Sequence, residues 1–336
     1  MNPWENIMKS SEPVIALALL YHTKHNGVLE KVLESIKQLE YPKSKIHLIL
    51  VDNVSTDGAH KIVENWLNKN GKEYLSIEHL ILSGNVPHLR NICLKKAIEK
   101  KCEYIFFVDS DVILIPDAIE RLVKIFNTNE KVFAASLPYF IPIEKDTLFV
   151  KIRTKYGKGD LKPLKNVNQP YQVPSIGMGA TMIKLSYIPI VGYFDEEIPY
   201  IEDLNLTRRA TNMGFKIIVD PQVQLLHDKH VETLQWLKIT LKMGKSEVKN
   251  MLRVGTWKKE LRSLLYWFSL LISIPLIVIQ PLFFIFLFTS GWIVYATRSK
   301  GLGKIVVFPI IAIYRITRVI GIIIGFILYF LEVIRK

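Results

Sequence analysis

Carboxylates cluster at two places in the sequence. The first is Asp109-Ser110-Asp111, which directly follows the apolar and aromatic run Tyr104–Val108. Carboxylates at the end of a buried strand are costly unless something cationic satisfies them. Two of them spaced i and i+2 across a turn can face the same ligand. This stretch therefore predicts a divalent metal site that holds a diphosphate.

The second cluster is Glu202-Asp203, which precedes an amphipathic helical pattern. Acidic residues in the first turn of a helix are ordinary helix-dipole and capping chemistry, and that explanation covers one of the two. It leaves unexplained the nearby acids at 195–197 and the aromatic residues at 193, 194 and 200. A carboxylate at a helix N-terminus beside a crevice can also serve as a general base.

The elements that must position these carboxylates alternate between strands and helices. Strand-length apolar runs occur at 14–20, 47–51, 77–82 and 104–108, and helical spacing of apolar residues occurs at 30–39, 59–67 and 92–98. Residues 84–91 are expected to form a loop that leads into the third helix. This alternation predicts an α/β fold with a mostly parallel, twisted sheet.

Ligands of such sheets bind outside the carboxyl ends of the strands. The turns after strands one, two and four therefore predict a crevice lined by Tyr21 to Thr23, by Asp52 and by the Asp109-Ser110-Asp111 turn. A ligand contact is the favoured interpretation of Asp52, whereas Asp57 is better explained as a turn and N-cap residue. Neither a dinucleotide-binding nor a P-loop glycine pattern occurs at these turns, which argues against both classes.

Two further features stay open at this stage. His227 follows a short apolar run, and it is interpreted as a metal ligand, a phosphate contact or an ordinary polar cap. Residues 151–165 are rich in lysine and form either a substrate flap or a surface loop.

Composition limits the function classes. The net charge of +13 suits phosphorylated substrates or an anionic membrane surface, and no nucleic-acid-binding signature is visible. The two cysteines, Cys93 and Cys102, lack CxxC spacing, which argues against a disulfide framework or a cysteine zinc site and predicts reduced thiols near the core. Residues 1–11 are polar and do not resemble a signal peptide.

Taken together, these residues resemble the family 2 glycosyltransferases with their GT-A nucleotide-sugar fold. The resemblance covers Val14 to about Lys249. Its motifs, in chain order, are the turn 51–58, the pair Arg90-Asn91, Asp109-Ser110-Asp111, the stretch from Gly192 to Asp203, and His227.

The resemblance implies an inverting transfer from a nucleotide-diphosphate sugar, and it assigns a role to each matching residue. Asp203 would be the catalytic base, and Asp111 would bind Mg²⁺ or Mn²⁺. Asp109 would approach the ribose or the metal, and His227 would contact the metal or the diphosphate. The nucleotide would lie near Asp52 and Arg90, with Tyr21 and Thr23 in the first turn as further contacts.

Two departures from the family pattern matter. No Gln-x-x-Arg-Trp motif follows His227, since Gln235-Trp236 does not match it, and this argues against a processive polymerase. The first turn, Tyr21-His22-Thr23-Lys24, is also looser than the acidic or Asn-containing turn usual in the family.

The remainder of the chain predicts a membrane region. We expect a catalytic domain at 1–230, a linker at 231–260 and membrane helices at 261–336. Residues 231–250 of this linker indicate a basic amphipathic helix on an anionic membrane surface, or a solvated helix packed on the catalytic domain. Residues 264–296 carry no charge and contain Pro275 and Pro281, so they form either two coupled helices or one long kinked helix.

Basic residues flank both ends of this uncharged stretch, so the positive-inside rule favours a hairpin at 263–297, with the catalytic domain in the cytosol. A further apolar segment, 305–333, is interrupted by Arg315 and Arg318. An integral membrane enzyme of this kind is expected to use a lipid-linked acceptor. The alternatives are a nucleotidyltransferase on a similar half-sheet, and a non-catalytic membrane partner of an active transferase.

Overall fold

A computed structural model describes residues 12–23, 27–140, 169–228, 233–255, 257–297 and 303–334. The chain divides into two compact units. The first, the α/β unit, takes its described residues from Met1–Phe140, Asn166–Glu196 and Glu202–Asp228. The second, the helical unit, takes them from Ile141–Lys165, Glu197–Ile201 and Lys229–Lys336. The lysine-rich segment 151–165 lies outside the described residues.

The α/β unit alternates strands and helices as the sequence predicts. Its strands are β1 (Ile15–Tyr21), β2 (Ile46–Asp52), β3 (Ser76–Ile81), β4 (Tyr104–Asp109), β5 (Val112–Ile113), β6 (Val132–Ser136), β7 (Tyr139–Phe140), β8 (Tyr171–Val173), β9 (Ala180–Lys184), β10 (Lys216–Val219) and β11 (Leu225–His227). Its helices are α1 (Val28–Lys37), α2 (Ala59–Asn70), α3 (Val86–Glu99), α4 (Ala118–Phe126), α5 (Ile188–Val191) and α6 (Glu202–Asn212).

Eight strands form one twisted sheet in the order β3-β2-β1-β4-β9-β6-β10-β8. The half from β3 to β4 is entirely parallel. Strand β9 then runs antiparallel to both β4 and β6, and β8 runs antiparallel to β10. The α/β fold expected from the sequence is confirmed, with its parallel strands concentrated in the half that begins the chain.

The strand register aligns the predicted ligand contacts at one edge of the sheet. Tyr21 lies opposite Asp52 on the neighbouring strand, and Leu20 lies opposite Asp109 on the other side. Because these strands are parallel, all three carboxyl ends point the same way. Tyr21, Asp52 and Asp109, which the sequence predicts around one ligand, therefore lie at the same end of the sheet.

The sheet is covered on both faces by apolar side chains. In β1, Ile15, Leu17 and Leu19 belong to one core, and Ala16 and Ala18 belong to the other. Helix α1 covers the first core because its apolar residues recur at helical spacing, and α3 covers the second. Each fully buried Leu or Ile contributes about 1.5–3 kcal/mol. Cys93 and Cys102 are both free and buried, as predicted.

Helix α3 begins earlier than the sequence analysis predicts. Residues 84–91 were expected to be a loop, but the helix starts at Val86. The Asn85 side chain caps it by accepting a hydrogen bond from the His88 backbone N–H at 3.0 Å, and Pro87 is suited to a first helical turn. Arg90 and Asn91 therefore project from a rigid helix.

A second, three-stranded sheet has the order β5-β11-β7. Strand β11 runs antiparallel to β5, with His227 opposite Val112 and Leu226 opposite Ile113. Residues 111 and 227 are about 116 positions apart in the sequence, and this short pairing brings them together.

The helical unit contains four long helices among the described residues. They are α7 (Thr233–Val254), α8 (Trp257–Ser273), α9 (Pro281–Thr297) and α10 (Gly303–Ile334). A 3₁₀ turn at Pro275–Val278 separates α8 from α9, so the uncharged stretch forms two helices rather than one kinked helix.

Helix α7 packs closely along α10. A Cβ atom added to Gly244 would lie 2.3 Å from the Arg318 carbonyl oxygen, and one added to Gly321 would lie 2.3 Å from that of Leu241. Glu247 forms an ion pair with Arg318 and accepts a hydrogen bond from Asn250. The middle of the predicted interfacial helix is thus buried against another helix of the same unit.

The short segment Glu197–Ile201 belongs to the helical unit. Glu197 forms ion pairs with Lys249 at 3.6 Å and with Arg253, and the Lys242 ammonium lies 5.5 Å from the centre of the Tyr200 ring. Three cations of α7 thus bind this segment.

Among the described residues, one helical stretch is long and apolar enough to cross a membrane, Phe308–Ile334 in α10. Two shorter apolar helical stretches, Leu264–Ser273 and Pro281–Val294, come before it. Helix α9 exposes large apolar side chains on several sides, such as Leu282 and Phe286.

Candidate active site

The first turn of the crevice is built on Tyr21 at the end of β1. Its hydroxyl is hydrogen-bonded to His79 Nε2 at 2.7 Å, and burial raises its pKa. Burial, followed by the neighbouring His60, lowers the pKa of His79. The Thr23 hydroxyl donates to Asp57 at 2.6 Å. The polar groups of both predicted nucleotide contacts are therefore engaged within the protein.

Asp52 shapes the second turn. Its carboxylate accepts hydrogen bonds from the Ser55 backbone N–H at 2.7 Å and from the Ser55 hydroxyl at 2.9 Å. His60 Nδ1 lies 3.3 Å from the same carboxylate, and the His60 and His79 rings stack with centroids 4.8 Å apart. A fixed carboxylate beside stacked rings suits a nucleoside, and the nucleoside contact at Asp52 stays a prediction.

Asp57 stands at the start of α2. Its carboxylate accepts a hydrogen bond from the backbone N–H of Ala59, the first residue of the helix, at 3.2 Å. Gly58, with a φ of 89°, is the residue that directly precedes the helix. The structure thus gives Asp57 the predicted turn role, whereas Gly58 takes the N-cap position that was predicted for Asp57.

Asp111 and His227 form the first carboxylate centre. His227 Nε2 lies 2.9 Å from Asp111 Oδ1, and the exposed fractions of the two side chains are 8% for His227 and 7% for Asp111. The backbone also joins the two segments, because the Asp228 N–H donates to the Asp111 carbonyl at 2.8 Å. Next to this pair, the buried Asp228 binds Lys31 at 3.3 Å.

This donor set fits a divalent cation that is shared with a ligand. Within the described residues, no group of three or more His, Cys, Asp or Glu side chains could hold a metal alone. Mg²⁺ is usually bound through one or two carboxylates together with substrate phosphates and water, and imidazole is a good ligand for transition metals. Asp111 and His227 would therefore supply the protein part of the coordination sphere.

Asp109 differs from Asp111 in both partner and exposure. Its carboxylate lies 3.2 Å from an Arg90 guanidinium nitrogen, and its side chain is 41% exposed. Its carboxylate is therefore partly exposed while the Arg90 guanidinium binds one of its oxygens. Its assignment to ribose or to metal stays a prediction.

Glu202 and Asp203 form the second carboxylate centre, in the first turn of α6. Burial, followed by the neighbouring Asp203, raises the pKa of Glu202 to about 7. Burial also raises the pKa of Asp203, and Arg90 opposes that rise. The Asp203 carboxylate accepts hydrogen bonds from the backbone N–H groups of Leu204, at 2.7 Å, and Met178. Enzymes commonly raise the pKa of a carboxylate that acts as a general base, because the pKa then lies closer to the operating pH.

Arg90 connects the Asp109 turn to this second centre. One guanidinium nitrogen lies 2.5 Å from Glu202 Oε1, and another binds Asp109. The sequence analysis placed Arg90 near the nucleotide by family resemblance, and that contact stays a prediction. What the structure adds is that the guanidinium is buried and already engaged with two carboxylates.

Sequence reasoning missed several contacts around this site. Asn91 and Glu196 form a hydrogen bond of 2.8 Å, and His88 binds the same carboxylate at 2.9 Å. Nor did it single out His60 and His79. A detectable signal existed for His60, which lies in the first turn of the helix after Asp52. The role of His79 depends on strand register, which the sequence does not give.

Comparison with known proteins agrees with this geometry. The sequence profile described as "Glycosyl transferase family 2" matches residues 21–188, which is half of the chain. The region contains Tyr21, Asp52, Arg90 and both aspartates of the Asp109 turn.

Two curated relatives match parts of the chain. The "Procollagen-lysine,2-oxoglutarate 5-dioxygenase" of Drosophila melanogaster is 34% identical over 112 residues, covering 32% of this chain and 15% of the relative. The "Minor teichoic acid biosynthesis protein GgaA" of Bacillus subtilis (strain 168) is 28% identical over 163 residues, covering 48% of this chain and 35% of the relative. The chain thus spans about a third or less of either relative.

One solved structure matches nearly the whole chain. It is the mannosyltransferase PcManGT from Pyrobaculum calidifontis in complex with GDP-Man and Mn²⁺, with a TM-score of 0.61 and 14% identity. The match covers 94% of this chain and 88% of that one. At this identity the likeness concerns the fold, which is the GT-A fold that the sequence predicted. With the profile match over half of its length and this fold, the chain belongs to glycosyl transferase family 2.

Proposed function

We propose that this protein is a membrane-anchored, metal-dependent, inverting glycosyltransferase. Its donor is a nucleotide-diphosphate sugar, and its acceptor is a hydroxyl or phosphate of a lipid-linked molecule. The observation that carries the proposal is the presence of two unlike carboxylate centres in one α/β unit. One pairs Asp111 with an imidazole, and the other places Asp203 in the first turn of a helix.

Asp203 is the base in this proposal. Its ionised carboxylate removes the proton of the acceptor hydroxyl while the acceptor oxygen bonds to the anomeric carbon. The bond from that carbon to the diphosphate oxygen breaks on the opposite face, and the nucleoside diphosphate leaves with the electron pair. Attack opposite the leaving group inverts the anomeric configuration.

Asp111 and His227 would hold Mg²⁺ or Mn²⁺ at the diphosphate end of the donor. A cation bound there would supply positive charge to offset the charge that develops on the leaving diphosphate. The presence of GDP-Man and Mn²⁺ in the PcManGT structure supports this donor and metal class. Asp52 is proposed to contact the nucleoside, together with the turn at Tyr21 and Thr23, and Asp109 to approach the ribose or the metal.

The helical unit is proposed as the membrane anchor. Support comes from the span-length stretch Phe308–Ile334 and from the apolar surface of α9. Basic residues at the flanks of 264–296 place the α/β unit on the cytosolic side by the positive-inside rule. An acceptor held in the bilayer then meets a donor from the cytosol. The relative named for minor teichoic acid biosynthesis supports an acceptor used in teichoic acid biosynthesis.

The test is sugar transfer by membranes that contain the full chain. A panel of UDP- and GDP-linked sugars is incubated with lipid extract, with and without Mn²⁺, and the product linkage is determined by NMR. Metal-dependent transfer with inversion supports the proposal. Transfer of a nucleotidyl group would favour the nucleotidyltransferase alternative. Turnover that Asp203→Asn leaves unchanged with a hydroxyl acceptor would overturn the assignment of the base.

Anchoring is tested separately. Membranes are washed at high pH, and the protein is expected to remain with the lipid fraction. A reporter fused after Lys336 and a protease applied to sealed vesicles determine on which side the α/β unit lies. Release of the protein by the wash would contradict the proposed membrane anchor but would not bear on the proposed sugar transfer.

A further inference from the structure

Arg90 carries an arrangement that the proposed reaction does not by itself require. The residue projects from α3, and its side chain is only 8% exposed. Its guanidinium reaches Asp109 at the end of β4 with one nitrogen and Glu202 in the first turn of α6 with another. Two elements about a hundred residues apart in sequence thus meet through one side chain.

Two aromatic rings lie beside this guanidinium. The Arg90 carbon Cζ lies 5.8 Å from the centre of the Phe107 ring and 5.7 Å from that of Phe194. These rings pack edge to face with each other, with centroids 5.7 Å apart. A guanidinium that moved away from both carboxylates would also lose these cation–π contacts, which favour the observed position.

The neighbouring residue of α3 locks the second ring in place. The Asn91 side chain donates to the Phe194 carbonyl at 2.9 Å and accepts from the Phe194 backbone N–H at 2.9 Å. Arg90 and Asn91 are consecutive residues of α3. Arg90 binds the first turn of α6, and Asn91 binds the Phe194 backbone that precedes α6 in the chain.

We propose that Arg90 is a positioning residue that clamps the start of α6 to the end of β4, and thereby fixes Asp203 against the donor end of the site. The inference rests on the proposed function and adds how the base is held. Asp203 follows Glu202 directly, so the clamp acts one residue away from the reacting carboxylate. A guanidinium suits this task because its planar fork binds two carboxylates at once, whereas a lysine ammonium is a single point charge on a flexible stem.

The test compares Arg90→Lys, Arg90→Met and Glu202→Gln with the wild-type full-length protein in detergent. The control is Arg121→Met, because Arg121 also binds two carboxylates. They are Asp117 at 2.6 Å, directly before α4, and Asp220 at 3.2 Å, directly after β10. Arg121 is also more exposed, at 26%. A general loss of ion pairing would affect both arginines, whereas loss of the clamp affects Arg90 alone.

The first readout is independent of activity. Hydrogen–deuterium exchange is followed in the peptide that contains residues 202–207, the first turns of α6. We expect faster exchange there in Arg90→Met and Glu202→Gln, and exchange like that of wild type in Arg121→Met. Equal exchange in the Arg90 variants and the control would overturn the clamp, even if the chain proves to catalyse another reaction.

The second readout separates kcat from KM. In Arg90→Met we expect kcat to fall by about 10²-fold with a smaller change in donor KM, since misplacement of a reacting group by about 1 Å can cost this much. Arg90→Lys keeps the charge but not the fork, and should restore kcat only in part. Full restoration of kcat in Arg90→Lys would show that a single positive charge suffices. It would overturn the proposal that the guanidinium must bind both carboxylates at once.

A double variant guards against a folding artefact. If Arg90 acts through Glu202, Arg90→Met combined with Glu202→Gln should lower kcat little more than Arg90→Met alone, because coupled residues are not additive. Multiplicative losses would show that the two residues act independently and would overturn the inference. Absence of sugar transfer by the wild type, with exchange data as expected, would refute the proposed function and leave the clamp standing.

Discussion

The two carboxylate centres of the α/β unit differ in the basic side chain that faces them. Asp111 faces the imidazole of His227, whereas Glu202 faces the guanidinium of Arg90. A neutral imidazole has a nitrogen lone pair that can bind a metal, whereas a guanidinium stays protonated and cannot be a ligand. The first centre can therefore supply two metal ligands. The second keeps a permanent charge, which suits it to hold a base in place.

The largest effect should come from the centre that moves a proton. Asp203→Asn keeps the size of the side chain but removes the base, so we expect kcat for a hydroxyl acceptor to fall by about 10²–10⁴-fold with donor KM little changed. Steady-state kinetics on membranes checks this, with Glu34→Gln on the exposed face of α1 as the control. If donor KM rose while kcat stayed unchanged, Asp203 would be assigned to donor binding and not to proton transfer.

The next effect concerns the metal dependence of the first centre. Asp111→Asn and His227→Gln should each raise the Mn²⁺ concentration for half-maximal activity by about 10–100-fold or more, the loss typical even for outer-shell partners of a metal. His47→Gln is the matched control, because His47 lies at the amino end of β2, where it binds Ser76. An unchanged Mn²⁺ requirement in both variants would remove the metal from this centre.

The pH profile should report on the second centre, because two neighbours of Asp203 shift its pKa in opposite directions. Burial raises the pKa of Asp203, and only its ionised form accepts a proton, so the rate should fall as the pH falls through that raised pKa. Arg90 lowers this pKa and Asp109 raises it. Hence Arg90→Met should move the acid limb to higher pH, and Asp109→Asn should move it lower. Shifts in the same direction for both variants would contradict the assignment.

The smallest effect is on stability. A metal that binds only the folded protein stabilises it by about 2.7 kcal/mol at a hundredfold excess over its Kd. Thermal melts with and without Mn²⁺ should show this gain in wild type and in Arg90→Lys, and should lose it in His227→Gln. If Arg90→Lys were the only variant to lose the stabilisation by Mn²⁺, the metal would bind beside Arg90 and not beside Asp111 and His227.

Much of the fold was predictable from residue type and spacing. The apolar run 14–20, the helical periodicity of 30–39 and the carboxylates after buried strands each follow from local chemistry, and the strands and helices form close to where the spacing predicts. The start of α3 was misplaced because an Asn85 cap and a proline in the first turn look, in sequence, like a loop.

The partners of the site residues could not be predicted. Asp111 and His227 meet because β5 and β11 pair, and Arg90 reaches Glu202 because α3 and α6 lie on the same face of the sheet. Likewise, the charge spacing of 231–250 left open a helix on a membrane surface and a helix packed on the catalytic domain. Close approach at Gly244 and Gly321 instead packs α7 against α10.

The sequence by itself determined which residues could do chemistry, because ionisable groups next to buried strands and at helix starts must be satisfied wherever they fold. The tertiary structure alone decided which basic side chain faces each carboxylate. That choice separates a centre suited to a metal from one suited to proton transfer, and it depends on strand register and helix packing between residues more than a hundred positions apart, which no local pattern encodes.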